Sequence, residues 1–175
     1  VPLVVKRNML RTFADTAHDP ARLDAVIKHS TTLIQQAIAE ERYEIGQSLA
    51  DQAYALAIRS TRAKAQRKLA SDQRQLVAQA QKTWQEFLAA EKTLQLKPDD
   101  PAASLIVGRW YCLQRGDWER GLPCLARSSD SRLSELARRD AAAGGASADD
   151  QVKLADAWWD LADTFTGSAK DRIRV

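Results

Sequence analysis

The chain is short of the residue types on which most site chemistry depends. Among 175 residues there are two cysteines, two histidines and one methionine. His18 and His29 have no Cys, His or carboxylate at metal-ligand spacing, so neither a metal site nor a bound cofactor is expected. No Gly-rich phosphate loop, Ser/His/Asp set, Cys/His pair or HExxH run occurs, and enzymatic activity is therefore not expected. Apolar runs fall well short of the roughly 20 residues that cross a membrane. A formal net charge of +3 is too small to argue for nucleic acid by itself. The basic group Arg59, Arg62, Lys64, Arg67, Lys68 and Arg74 scatters around a helix without interleaved aromatics, which also argues against it. With only Cys112 and Cys124 present, buried free thiols are expected in preference to a disulfide. Nothing in the composition assigns a compartment.

What is present is helix. Ala, Leu, Gln, Arg, Glu and Lys dominate, and period-2 alternation is missing over useful lengths. Residues from Pro2 to about Ala17 read as a first helix, with Leu3, Leu10, Phe13, Ala14 and Ala17 on one face. Asp19 then caps a second helix, with Pro20 at its first position. Leu23, Val26, Ile27, Ser30, Leu33, Ile34, Ala37 and Ile38 form its apolar stripe. A break near Glu40–Arg42 leads to a third helix carrying Tyr43, Gly46, Leu49, Ala50, Ala53 and Ala57. Its small residues predict close helix–helix approach.

From about Thr61 to Leu96 neither Gly nor Pro occurs, which predicts one long central helix. Leu69, Leu76, Val77, Ala80, Trp84, Phe87, Leu88 and Leu94 keep helical spacing there, and Ser71-Asp72 marks a potential break. Pro98 ends it, and Asp100 with Pro101 starts the next. Further helices are expected at about 101–114, 118–127 and 131–142, followed by a loop at Ala143–Ser147. Ser147 with Asp149 and Asp150 opens a last helix to about Thr166, with Ala155, Trp158, Trp159, Ala162 and Phe165 facing inward.

The run "GRWYCLQRGDWERGLPCLARS" places Gly108 and Gly121 where two helices would cross. Gly116 supplies a left-handed turn and Asp117 a cap. Arg115-Gly116-Asp117 is then a turn rather than an integrin-type tripeptide. This order of features resembles the tetratricopeptide (TPR) repeat, a helix–turn–helix unit of about 34 residues. Gly108 to Gly116 is one residue longer than that pattern, and Ser104 replaces a common aromatic. "EERYEIGQSLADQA" and "LADAWWDLAD" echo its two halves. The combination of "GDWERGLP", "SSDS" and "WWDLA", over about Leu96 to Gly167, is similar to a helical region of large, mostly uncharacterised planctomycete proteins. That resemblance implies a helical module joined to other domains and carries no catalytic residues with it.

The expected fold is all-α, a right-handed stack of degenerate TPR-like hairpins with one long central helix. Residues 1–97 would hold the N-terminal hairpins and the long helix, and 98–175 the TPR-like unit, together forming one continuous domain. A start at Val1 rather than Met, and an end at "DRIRV" without a helix terminator, predict a piece of a longer chain. The expected function is a non-enzymatic module for protein interaction or spacing. Its partner would be a protein or peptide held in a concave groove by Arg109, Gln114, Lys153, Trp159 and Asp160. Trp158 and Trp159 cannot both face one core. Trp158 continues the pattern, so Trp159 is partly exposed or covers the preceding helix; core packing is favoured for it over contact with a partner or sugar. Asp156, Asp160 and Asp163 read as a solvated acidic face. Two alternatives stay open: a support for carbohydrate or cell-surface recognition by an adjacent domain, and a regulatory segment of a signalling enzyme.

Overall fold

The computed structural model describes residues 2–16, 19–59, 64–145 and 147–174. The described residues are helical or in turns, and none is in a strand. The fold class is all-α. Two compact units emerge, Val1–Trp84 and Gln85–Val175. Their division falls inside the long helix, which contributes to both.

The first unit contains α1 (Leu3–Thr16), α2 (Pro20–Ala39), α3 (Tyr43–Arg59) and the first turns of α4 (Lys64–Leu96). Asp19 caps α2 by accepting the Ala21 N–H at 3.4 Å, and Pro20 opens the helix without an orphaned donor. The second helix ends in a Schellman arrangement: Glu41 N–H donates to the Ile38 carbonyl at 3.1 Å and Arg42 N–H to the Ala37 carbonyl at 2.7 Å. Glu41 takes the left-handed conformation there, with φ 58°. Small residues bring the next helix in closely. A Cβ on Gly46 would lie 3.4 Å from both Ala37 Cβ and Val77 Cγ1, so α2, α3 and α4 converge at this glycine. Ala50, Ala53 and Ala57 are fully buried along the same stripe.

Polar side chains fasten α4 to its neighbours. Gln66 Nε2 donates to Asp24 at 2.7 Å, and Gln73 Nε2 donates to Thr31 Oγ1. Arg74 pairs with Asp51 at 2.7 Å while its guanidinium covers the Tyr54 ring at 4.8 Å. The helix runs unbroken through Ser71-Asp72. Its buried positions in this unit are Ala70, Gln73 and Val77, and Leu69 and Leu76 face solvent. Phe13 is also exposed, at 64%, while Leu3 and Ala14 are buried. In both helices the apolar residues exceed what one neighbour can cover, and the packing partner selects which stripe is buried. Ala17, His18 and Arg62 lie outside the described residues.

The second unit follows the Pro-Asp-Asp link. Its helices are α5 (Pro101–Arg109), α6 (Trp118–Leu125), α7 (Ser131–Ala142), α8 (Ala148–Ala162) and α9 (Ser168–Ile173). Asp100, Asp117, Asp130 and Ser147 cap four of these starts through side-chain oxygens. Between α5 and the turn, Trp110–Arg115 forms a π-helical segment. Gly116 closes it at φ 71°, and the Asp117 N–H donates to the Tyr111 carbonyl at 2.8 Å. A π turn holds one residue more than an α turn. Phe87 from α4 stacks on Trp110 at 5.0 Å and meets the edge of Tyr111 at 5.6 Å. Leu88 is exposed.

The crossing of α5 and α6 depends on two glycines. A Cβ on Gly108 would stand 2.7 Å from Leu125 Cδ2 and 2.9 Å from the Leu125 backbone nitrogen. At Gly121 it would collide with the Cys112 thiol. The α6 carbonyl end is satisfied by side chains of α7: Ser134 Oγ and Arg138 Nε donate to the Ala126 carbonyl at 3.0 and 2.9 Å.

Two expectations for the C-terminal part need correction. The helix expected to reach Thr166 ends at Ala162, and a separate α9 follows Gly167, which has φ 60°. Ala155 faces solvent, whereas Leu154, Trp158 and Ala162 are buried.

Candidate functional site

Three tryptophans, one carboxylate and two guanidiniums gather around a cleft of about 390 Å³ in the second unit. The cleft exists because α9 folds back on α8. Lys170 Nζ and Arg174 Nη2 both donate to Asp163 Oδ1, each at 2.7 Å. The Lys170 hydrogen bond, aided by the charge of Arg174, holds the Asp163 carboxyl below its ordinary value of 3.8 despite partial desolvation. Ile173, between the two arginines, is buried in the same core as Trp158 and Leu154. Packing of Ile173 and ion pairing of Lys170 and Arg174 thus both hold the α9 segment.

The inner wall is aromatic. Trp158 is buried, and its indole Nε1 donates to Asp140 Oδ2 at 2.9 Å. Trp118 meets Trp158 edge to face, with centroids 5.5 Å apart and planes at 78°. One residue further along α8 the helical rotation carries Trp159 to the rim, where it is 51% exposed. Trp159 is therefore not a core residue. Arg174 Cζ lies 4.2 Å from the centre of its ring, a cation–π contact that covers one face. Arg172 Nη1 and Arg174 Nε are buried and find no hydrogen-bond partner among the described residues. Arg172, Ile173 and Arg174 line the cleft opposite the indoles.

The titratable side chains of the cleft are Asp140, Arg172 and Arg174, and no nucleophile lines it. Both cysteines lie outside it and are free. Burial pushes the Cys112 thiol up to about 12, assisted by the nearby Cys124 and Asp117, and burial also raises Cys124. Both thiols are thus protonated at neutral pH and poor nucleophiles. Among the described residues no three His, Cys, Asp or Glu side chains are grouped as metal ligands, and no helix is long and apolar enough to cross a membrane.

Of the five residues expected to hold a partner, Trp159 alone lines the cleft. Arg109 pairs with Asp130 at 3.3 Å, its guanidinium 5.7 Å from the Phe165 ring centre. Lys153 donates to Asp150 at 3.4 Å, back along its own helix. Gln114 is exposed on the π-helical segment and Asp160 on α8. Asp156 is likewise exposed, whereas Asp163 is engaged by α9. Trp118, Asp140, Arg172 and Arg174 were not singled out as site residues: Trp118 and Asp140 join the cleft through tertiary contacts with Trp158, and Arg172 and Arg174 through the return of α9. No family model matches the chain, and neither a curated protein nor a solved structure matches it.

Proposed function

We propose that the chain is a non-enzymatic, degenerate TPR-like module that binds a protein or peptide within a larger multidomain protein. The observation that carries this reading is the half-exposed Trp159, poised at the mouth of a cleft walled by indoles and guanidiniums. Large, stiff aromatics beside arginine supply contact area at little entropic cost, which is the composition of binding hot spots. The glycine crossing at Gly108 and Gly121, the Gly116-Asp117 turn and the surplus residue in the π segment support the TPR-like description. A sugar stacking on Trp159 is less well supported, because Arg174 already occupies one face of that ring.

Selection of peptides displayed on phage against the immobilised chain tests the proposal, with Trp159→Ala as the counter-target. Enriched peptides should bind the variant about tenfold more weakly, a loss of about 1.4 kcal/mol. Blank selections, or equal binding to the variant, would remove the cleft from consideration and leave spacing as the function.

A further inference from the structure

A second surface lies in the first unit. Between α1 and α2 runs a groove of about 570 Å³ whose apolar lining includes the exposed Met9 and Phe13 and, deeper, Val26 and Leu33. Met9 and Phe13 are 61% and 64% exposed, one helical turn apart, and they present the two largest apolar side chains of α1 to solvent. The groove extends along α2 from Arg22 to Gln36, which at 1.5 Å per residue is roughly 20 Å, or three to four helical turns. It is open on one side, a shape that admits another helix.

Charge decides what kind. Lys6 and Arg22 stand on the groove, and among the described residues no Asp or Glu lines it. Arg11 is also exposed on α1 and Arg7 is half-buried there, though neither lines the groove. The Asp24 carboxylate of α2 is engaged elsewhere, by Lys28 at 2.8 Å and Gln66 at 2.7 Å. A two-fold contact between copies would face this basic rim with itself, so a second copy of the chain is a poor occupant. Backbone-phosphate binding alone would leave the apolar lining bare.

We infer that the α1/α2 groove receives an acidic amphipathic helix of a partner protein, with an apolar stripe at i, i+3/i+4 and i+7 and carboxylates on its flanks. The stripe packs on Met9, Phe13, Val26 and Leu33, and the flanking carboxylates meet Lys6 and Arg22. Flexible Met9 adapts to the side chains it meets. This names a partner for the interaction reading at a site remote in sequence from Trp159, so the two can fail separately.

The test uses two synthetic helical peptides of about 16 residues with the same leucine stripe, one flanked by glutamates and one by lysines. Fluorescence anisotropy with the 175-residue chain should show the glutamate peptide binding about tenfold or more tightly than the lysine peptide. Phe13→Asp and Met9→Asp should each weaken it by a similar factor without altering thermal unfolding, since both side chains are exposed. Arg22→Glu should reduce the preference for glutamate, and Trp159→Ala should leave binding unchanged. Equal affinity for the two peptides would overturn the charge argument. The proposal would also fail if neither peptide bound, if Phe13→Asp had no effect, or if sedimentation showed a dimer abolished by Phe13→Asp. Displacement of the glutamate peptide by vesicles of neutral phosphatidylcholine would assign the groove to lipid instead.

Discussion

Gly121 and Cys112 face each other across the α5/α6 crossing with no room for a methyl group between them. A Cβ on Gly121 would fall on the Cys112 thiol and lie 2.9 Å from the Cys112 backbone nitrogen and 3.1 Å from the Gly108 carbonyl oxygen. Two of these three obstacles are backbone atoms, so rotation of one side chain cannot clear the space. The helices must separate, and with them the core around Leu125 and Cys112.

Gly121→Ala should therefore destabilise the second unit by about 1–3 kcal/mol, the usual range for overpacking. At about 2–4 °C per kcal/mol for a chain of this size, the melting temperature should fall by several degrees, and further for Gly121→Leu. Differential scanning calorimetry measures it. Cys112→Ala should recover only part of the Gly121→Ala loss, because the backbone contacts remain. An unchanged melting curve for Gly121→Leu would refute this account of the crossing.

The opposite sign is expected at Glu41. Its φ of 58° falls at the left-handed position of the α2 terminus, which glycine ordinarily fills. A side chain there costs roughly 1–2 kcal/mol, and glycine's extra unfolded-state entropy returns about 0.5–1. Glu41→Gly should thus stabilise the chain by about 0.5–1 kcal/mol, and Glu41→Val should destabilise it. Urea denaturation of the two variants compares them directly. A lower midpoint for Glu41→Gly than for the parent would contradict the argument.

These two positions show where sequence was informative and where it was not. Gly108, Gly116 and Gly121 were legible because few other roles explain glycine among strong helix formers, and Asp19, Asp100, Asp117 and Ser147 because capping is local chemistry. Glu41 was not legible, since its conformation is imposed by the ends of two packed helices and not by its own preference. Phe13 and Ala155 were placed on buried faces because periodicity supplies a stripe but not the neighbour that covers it. The short α9 was missed altogether: three of its six residues are Lys170, Asp171 and Arg172, and its anchor is a non-local ion pair to Asp163. Trp159 could be singled out, but Arg172 and Arg174 reach the cleft only through that anchor, and Trp118 and Asp140 only through tertiary contacts with Trp158.

Cys112 should be chemically silent in the folded chain. At pH 8 a thiol whose pKa is pushed up to about 12 by burial is almost wholly protonated, and the side chain has no exposed surface. Iodoacetamide labelling followed by peptide mass spectrometry should modify Cys112 only on unfolding, with half-buried Cys124 reacting first. The same shift predicts alkaline sensitivity. The folded value exceeds the ordinary 9.0, so the unfolded chain loses this proton first, and stability falls as pH rises from about 9 towards 12. The slope attributable to this group is at most about 1.4 kcal/mol per pH unit. Cys112→Ala should flatten the stability profile between pH 9 and 11. Rapid labelling of Cys112 in the native state would exclude the buried placement.

The cleft should respond at the other end of the pH scale. Asp163 is held below 3.8 chiefly by its hydrogen bond from Lys170, then by the charge of Arg174. Its contribution is present above about 3.8 and is lost as pH falls through the lowered folded value, where protonation removes the anchor that Lys170 and Arg174 share. Arg174 would then leave the Trp159 ring, which it covers at 4.2 Å. Acidification below about 4 should alter tryptophan emission, and Trp159→Phe should lack that component of the change. Asp163→Asn should display it already at neutral pH, with the far-ultraviolet helix signal largely intact because α9 is only six residues long. Adding salt should weaken the anchor in the parent chain and leave Asp163→Asn unaffected, since screening acts on the ion pairs that variant lacks. Parent-like emission from Asp163→Asn at neutral pH would mean that Ile173 alone holds α9 in place, and that the cleft does not depend on the charge pair.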